Sequence, residues 1–474
     1  MTTRAMDRAC CRRTALARRA GTALALLLGM VQQAALAQPA TDAAAAPVAP
    51  VIQEPVVPVW RLPDPSAQGL PTLEDLIPKP FPGPEKAVST LLTRTLDALP
   101  FIPIPEISTA PHAGVNVGLF GIVMGGNAQG QIDQILAPDV LHSQYFGWGA
   151  RFRIFRNPSD DEKWSLVAGG KQEVEREFDA EWDYGLRRDR SWSYIAHAMY
   201  DRNGTGRFYG LGNDSTLAGE STFINSQMRV EFTAARNFSH TLQLGWTLRA
   251  NTAEIEQSAL DSLPALTARY PSLNGVGDAS EVHQRLTWTL DTRDSIVVPR
   301  VGSRVAAVVG VTSRALGSSV DYSVLALDAS TFRPVGKLTL AAHAAARYMP
   351  SFTNAPFWAL SSLGGDRSVI GDGQPLRGFG AGRFIDRNSV SGSLELRMVL
   401  QRLQMFGTTL ALEAAPFVDT GRVFASMNDN PLIHLHTAGG VGFRVITGPF
   451  VVGYLDLGAA NEHLAIFTGI DYPF

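Results

Sequence analysis

The chain has almost no cysteine. Only Cys10 and Cys11 occur in 474 residues, and both lie in a stretch with the marks of an export signal. The rest can form no disulfide and no cysteine metal site. Long apolar runs are also missing. Past the export segment, no stretch reaches the ~18 consecutive apolar residues that a membrane helix needs. This excludes a helical span but not a strand-built one, whose strands need only ~9–11 residues with alternate ones apolar. Positive charge is scarce too. Without the six arginines and one aspartate of residues 1–37, 35 basic residues face 43 acidic ones. That balance argues against nucleic acid as a partner, because a phosphate backbone needs a basic surface.

Signals of catalysis are equally thin. No G-x-S-x-G occurs, so the exposed nucleophile of that motif is absent. Ser193 with His197, and Ser239 with His240, are neighbours only in sequence. His434 and His436 share a strand face but have no obvious third ligand. Asp366 and Asp372 sit in a glycine loop whose spacing fits no EF-hand. No enzyme activity, cofactor or metal is expected.

What is present begins with an address. Arg4, Arg8, Arg12, Arg13, Arg18 and Arg19 precede the apolar run GTALALLLGMV, and Ala35-Leu36-Ala37 offers a small-x-small cleavage site. Residues 1–37 read as a secretory signal peptide. Arg12-Arg13 hints at a twin-arginine signal, although no bulky apolar residue follows at the usual place. Residues 38–83 are proline- and alanine-rich with no apolar period and read as a linker. PEKAVSTLLTRTLDA, 84–98, reads as one short helix with Val88, Leu91, Leu92 and Leu96 on a stripe. Pro100, Pro103 and Pro105 end it. The domain plan is therefore 1–37 signal, 38–110 proline-rich linker with a short helix, and 111–474 a β domain.

From about Gly114 the apolar period becomes two. Trp148, Ala150, Phe152 and Ile154 share one face; Arg151 and Arg153 share the other. Leu286, Trp288 and Leu290 oppose Arg285 and Asp291. Leu394 and Leu396 oppose Ser393 and Glu395. Leu412 and Val418 oppose Glu413, Phe417 and Asp419. Apolar residues alternate with charged ones, not with mildly polar ones. A soluble sandwich also alternates. Export, the lack of cysteine and many long strands together favour an all-β, transmembrane antiparallel β-barrel, in which every backbone group is paired without water. At ~20–25 residues per strand with its loops, 111–474 gives about 16 strands. The chain ends AIFTGIDYPF, with Ile470, Tyr472 and Phe474 on one face. A terminal aromatic closing such a strand resembles the sorting signal of outer-membrane barrels, so the expected location is the bacterial outer membrane, in contact with its lipid.

One loop stands out. QPLRGFGAGRFIDRN, 374–388, has Gly378, Gly380 and Gly382 spaced G-x-G-x-G, with Arg383 where a dinucleotide loop needs its third glycine. No P-loop lysine or βαβ context is present. The better reading is a loop folded back into a lumen. Arg377 then wants carboxylates on the inner wall, since its planar fork bonds them bidentately. Glu395 in SGSLELR and Asp419 in PFVDTG face inward on the strands that follow.

At these residues a family resemblance emerges. LGGDRSVIGDGQPLRGFGAG, 363–382, resembles the loop with the (V/L)RG(F/Y) motif of the BamA/TamA superfamily, also called the bacterial surface antigen family. PFVDTG, 416–421, resembles its F-x-D-x-G wall motif, and SLELR, 393–397, its strand with an inward glutamate. LDTRDSIVVPRVGSR, 290–304, and FYGLGNDS, 208–215, resemble two further recurrent elements. The resemblance spans 111–474. It implies that Arg377 pairs with Asp419 and Glu395, that Gly378 lets the loop backbone approach the wall, that Phe379 and Phe417 pack nearby, and that Gly421 leaves room. It also implies a role in assembly or translocation, with client barrel proteins or lipids as partners and the barrel assembly machinery needed for the chain's own insertion. The seam between first and last strands would open to a client strand by β-augmentation. Residues 38–110 leave no room for the family's POTRA domains, so the short, POTRA-less branch is the match. The alternatives are a passive channel gated by 364–388 and a structural surface protein.

Overall fold

The computed structural model describes residues 102–474 apart from 111–113, 127–131, 258–259, 261, 367–372, 406–407, 448–449, 470–471 and 473–474. The export segment, most of the linker and the expected helix at 84–98 lie outside the described residues.

The described chain is almost all strand, with one α-helical turn at Leu266–Arg269. The strands open with β1 (Ile102–Ala110), β2 (Gly114–Gly126), β3 (Ile132–Leu136), β4 (Asp139–Ser143) and β5 (Gly147–Ser159). They continue with β6 (Glu162–Lys171), β7 (Arg176–Tyr184), β8 (Trp192–Phe208), β9 (Ser221–Asn237) and β10 (Leu242–Glu256). Next come β11 (Gly277–Asp291), β12 (Gly302–Thr312), β13 (Tyr322–Val335) and β14 (Leu338–Ser351). β15 (Ser361–Leu363) and β16 (Phe384–Asp386) form a separate two-stranded sheet. The series ends with β17 (Asn388–Met405), β18 (Thr408–Phe424), β19 (His436–Thr447), β20 (Phe450–Ala459) and β21 (Leu464–Gly469).

All but β15 and β16 belong to one sheet of 19 strands, paired antiparallel with chain neighbours. That exceeds the expected count of about 16: β1, β3, β4 and β7 are added, and one strand is lost. β1 begins at Ile102, inside the segment read as linker. Pro103 and Pro105 read as breakers because proline cannot donate to a ladder. Beyond β2, however, the one described partner of β1 is β21, at Thr109 opposite Ile466, and a strand with one open edge tolerates proline. β7, REFDAEWDY, was hidden by its charges. The count of about 16 takes 356–363 as a strand of the sheet; the structure has a 3₁₀ turn there, Phe357–Ala359, followed by the short β15 of the separate sheet.

The two faces of the sheet differ in chemistry. Leu394 and Val418 are 54 % and 52 % exposed, while their strand neighbours Glu395 and Asp419 are 1 % and 0 % exposed. Val115, Val117, Leu119, Trp148, Phe152, Leu286, Trp288, Leu325 and Leu327 continue the exposed apolar face. A soluble protein rarely shows an apolar surface beyond a few hundred Å²; hydrocarbon is the medium that accepts it. Aromatics gather on this face beside the short turns. The indoles of Trp164 and Trp182 both donate to Glu162 Oε1 at 2.9 Å, and Trp182 stacks on Tyr184. Amphipathic rings of this kind suit the membrane–water boundary.

At the other strand ends, loop residues Leu266, Phe357, Trp358 and Ile385 pack with Phe208, Phe223, Ile255, Tyr322 and Met349 in one apolar cluster. The segment LDTRDSIVVPRVGSR turns the chain between β11 and β12. Asp291 accepts from Nε and Nη2 of Arg293 at 2.9 Å, and Asp294 Oδ1 accepts from the backbone N–H groups of Arg300 and Val301 at 2.9 and 3.1 Å. Gly302 has φ +104°, and a Cβ there would lie 2.1 Å from the Thr292 carbonyl oxygen, so only glycine fits.

Leu394→Arg should destabilise the folded chain by roughly 2–4 kcal/mol in vesicles, the cost of a cation near the bilayer midplane. Denaturant titration of the chain in lipid vesicles measures it; an unchanged midpoint would mean that this face does not meet lipid.

Candidate functional site

The loop between β15 and β16 carries Arg377 to the buried face of β17, β18 and β20. Its guanidinium meets three carboxylates. Nε donates to Asp419 Oδ2 and Nη2 to Asp419 Oδ1, both at 2.8 Å. Nη1 donates to Glu395 Oε1 at 2.6 Å and to Asp456 Oδ2 at 3.0 Å. Nη2 also reaches Ser393 Oγ at 3.1 Å, and that hydroxyl donates to Asp419 Oδ1 at 2.5 Å. The backbone N–H of Arg377 donates to Asp419 Oδ2 at 2.9 Å. The guanidinium plane lies over the Phe417 ring, 3.7 Å from its centre. Every ionic group here is closed to solvent. Burial opposes the charge of Arg377, but its hydrogen bonds to Asp419 and the charges of Asp419, Glu395 and Asp456 outweigh burial and hold it well above the ordinary arginine range.

A second tier surrounds the first. Arg397 Nε donates to Glu395 Oε2 at 2.9 Å, and Arg444 Nη2 lies 3.1 Å from both Glu395 Oε1 and Asp456 Oδ1. Cations and carboxylates therefore alternate across four strands. Such alternation offsets the desolvation of each charge, which an isolated pair does poorly.

Small residues make room for the loop. A Cβ on Gly458 would stand 2.1 Å from the Arg377 carbonyl oxygen, and one on Gly378 would stand 2.7 Å from Ala438 Cβ. A Cβ on Gly440 would meet the Phe417 ring at 2.5 Å, and one on Gly421 would meet Leu363 Cδ1 at 3.0 Å. Beyond Arg377 the loop is held by apolar packing. Phe379 and Phe384 pack with Leu363, Leu376, Val423 and Ala438.

Arg383 makes a further anchor. Its guanidinium bonds Glu462 at 2.6–3.1 Å and Ser215 at 2.8–3.0 Å, between the rings of Tyr209 and Phe384. The segment FYGLGNDS thus meets the loop through Tyr209 and Ser215. Its Asn213 accepts from the backbone N–H of Val423 on β18 and donates to the His434 carbonyl. His436 stacks on Phe384 at 3.7 Å and bonds the Asn213 carbonyl, so it serves packing. Asp366 accepts from the Tyr454 hydroxyl. Among the described residues no group of three or more His, Cys, Asp or Glu is placed to hold a metal.

All seven loop and wall residues singled out in the sequence meet in one place: Arg377, Gly378, Phe379, Glu395, Phe417, Asp419 and Gly421. Sequence reasoning missed Asp456, Arg397, Arg444, Gly440 and Gly458. The inward position of Asp456 was readable from the alternation in FVVGYLDLG, but nothing in the sequence joins β20 to the loop.

The alternation that puts Tyr472 on one face with Ile470 and Phe474 makes that the lipid face, but Tyr472 lies among buried charges instead. Its hydroxyl donates to Glu413 Oε1 at 3.0 Å, and its ring lies under the Arg397 guanidinium at 4.0 Å. A phenol gains a hydrogen bond there that lipid cannot supply. Ile470 and Phe474 lie outside the described residues.

An exported chain whose long strands present hydrocarbon-compatible surface on one face and buried ions on the other belongs to the class of bacterial outer-membrane β-proteins. The Omp85 superfamily domain matches residues 180–454, more than half of the chain, and the chain belongs to that superfamily. The resemblance read from the motifs therefore holds at family level. Among solved structures, BamA from Haemophilus ducreyi lacking POTRA domains 1–3 is similar at 13 % identity over 84 % of this chain and 81 % of that one, with a TM-score of 0.46. CdiB from Escherichia coli shows 12 % identity over 78 % of this chain and 62 % of that one, TM-score 0.43. CdiB from Acinetobacter baumannii shows 12 % identity over 78 % and 65 %, TM-score 0.41. The chain thus spans less than two thirds of either CdiB chain. No curated protein matches it in sequence.

Two substitutions probe the cluster. Arg377→Ala strands buried carboxylates and should cost about 3–5 kcal/mol, whereas Arg377→Ala with Asp419→Ala should cost less than the sum of the two single changes. A double-mutant cycle on heat-modified gel mobility and denaturant midpoint checks this, and strict additivity would refute the pairing. Gly458→Ala should loosen the loop without touching any charge, seen as faster proteolysis within 364–388.

Proposed function

We propose that the large sheet closes into a barrel with its seam between β1 and β21, and that the chain is an outer-membrane assembly or translocation factor whose seam admits a client strand. The observation that carries this reading is the contrast in pairing. β1 pairs β2 over nine register positions and β20 pairs β21 over six, yet β1 meets β21 in the described residues only at Thr109 opposite Ile466. An edge so thinly paired is a template for another strand. β3 and β4 both lie between β2 and β5, so they share one place in the wall. The 19 strands then give eighteen staves, not about 16.

In this reading Arg377 and its carboxylates lock the loop 364–388 inside the lumen. The lock blocks free diffusion through the interior and stiffens β17–β20, leaving the seam as the compliant place. The blocked interior is the reason to rank assembly or translocation above a passive channel. The clients are barrel proteins or lipids of the outer membrane, and the residues near 472 contribute to the chain's own sorting to the assembly machinery.

A disulfide across the seam tests this. Residues after 37 contain no cysteine, so Thr109→Cys with Ile466→Cys introduces the sole pair. Oxidised, it should reproduce the loss of particular barrels or surface lipids seen in a deletion strain, and reductant should restore them. An outer-membrane proteome and lipid profile unchanged by deletion would overturn the assembly reading and favour the channel, whose conductance is then the quantity to measure.

A further inference from the structure

Beneath the ion cluster, at the short-turn end of the sheet, a cavity lies between the β11–β12 turn, the β13–β14 turn and the lower ends of β17 and β18. Arg300, Lys337, Arg397, Glu413 and Tyr472 line it, with Val298, Pro299 and Val399 as its apolar wall. Glu413 is engaged by the Tyr472 hydroxyl, and Arg397 shares Glu395. Among the described residues no carboxylate pairs with the side chain of Arg300 or Lys337.

A fourth cation, Arg402, is brought to the same face of β17 as the lining residue Val399 by an irregularity in the strand, beside the cavity and outside its lining. The register runs from Val399 opposite Glu413 directly to Gln401 opposite Leu412, which leaves Leu400 as an extra residue. A bulge of this kind turns the following side chains over. Arg402 consequently stands opposite Ala411, on the face that Ala411 shares with Glu413; with no bulge it would point to lipid. Its Nε and Nη2 are closed to solvent and make no hydrogen bond, and it is near enough to Arg300 for the two to repel. Glu413 is the one carboxylate in the lining and Arg397 is already shared with Glu395, so cations outnumber anions here and a bound anion would offset the excess.

We propose that this cavity is an anion site for a phosphoryl group. Two guanidinium forks and an ammonium suit tetrahedral phosphoryl oxygens, which accept several charge-assisted hydrogen bonds at once. A phospholipid headgroup and free phosphate offer the same chemistry. The site is independent of the seam, so it stands or falls separately from the assembly reading.

The test uses the purified full chain in detergent at low salt, titrated calorimetrically with inorganic phosphate and with short-chain phosphatidylglycerol. Binding should weaken about tenfold in Arg402→Gln and in Lys337→Gln, a loss of about 1.4 kcal/mol each. Lys337→Arg should bind nearly as the parent does, and so should Arg187→Gln, which removes a rim cation already beside Asp189. Binding of phosphate alone would assign a soluble anion, and binding of the lipid alone a headgroup. Two outcomes would overturn the site: no binding of either probe by a parent chain with folded gel mobility, or equal binding by the parent and both glutamine variants. Preference for a polyglutamate peptide over both phosphoryl probes would overturn the ligand class.

Discussion

One buried arginine sets the terms for the rest of the structure. Arg377 has no route to water, so each of its donors must find an acceptor inside the protein. The acceptors come from β17, β18 and β20, at Glu395, Asp419 and Asp456. Three carboxylates near one cation would repel one another, and Arg397 and Arg444 complete the balance. A loop that carries such a residue cannot sit loosely. It must lie flat against the wall, and Gly440, Gly442 and Gly458 keep that wall bare. At Gly442 even a methyl group would collide with Arg444 Nη1 and Asp456 Oδ1, at 2.0 and 2.2 Å.

The same residues connect the two ends of the sheet. Above Arg377, Phe379 and Phe384 join the loop to Val423 and Ala438, and Arg383 reaches Ser215 and Glu462. Below it, Arg397 passes from Glu395 to the ring of Tyr472, which holds Glu413. Charge, ring and hydroxyl thus form a continuous column along the buried face of β17–β20. Elsewhere in the sheet, among the described residues, buried-face charges pair more locally across neighbouring strands, as with Glu231 between Arg249 and Arg285.

Much of this was legible in one dimension. The alternation of apolar and charged residues reports which side chains share a face, because a strand repeats every two residues. That rule placed Glu395 and Asp419 inward and Leu394 and Val418 outward. Charge made β7 hard to read, since Glu177, Asp179, Glu181 and Asp183 share one face while Phe178, Trp182 and Tyr184 mark its lipid side. Proline hid β1 for a different reason: the cost of a missing N–H depends on whether a partner strand is there to accept it, and sequence does not show the edge.

The sequence by itself determined the class: an exported chain of alternating strands with no cysteine after Cys11, an arginine in a glycine loop and two carboxylates to receive it. Periodicity and residue chemistry are local properties, so they survive in a linear reading. Only the tertiary structure decided which distant segments meet. Asp456 and Gly458 join Arg377 across 79 and more residues, Tyr472 turns away from lipid toward Glu413, and a single extra residue at Leu400 re-aims Arg402. Those outcomes depend on strand register and on the balance of buried charge, which are properties of the paired sheet as a whole and not of any one strand.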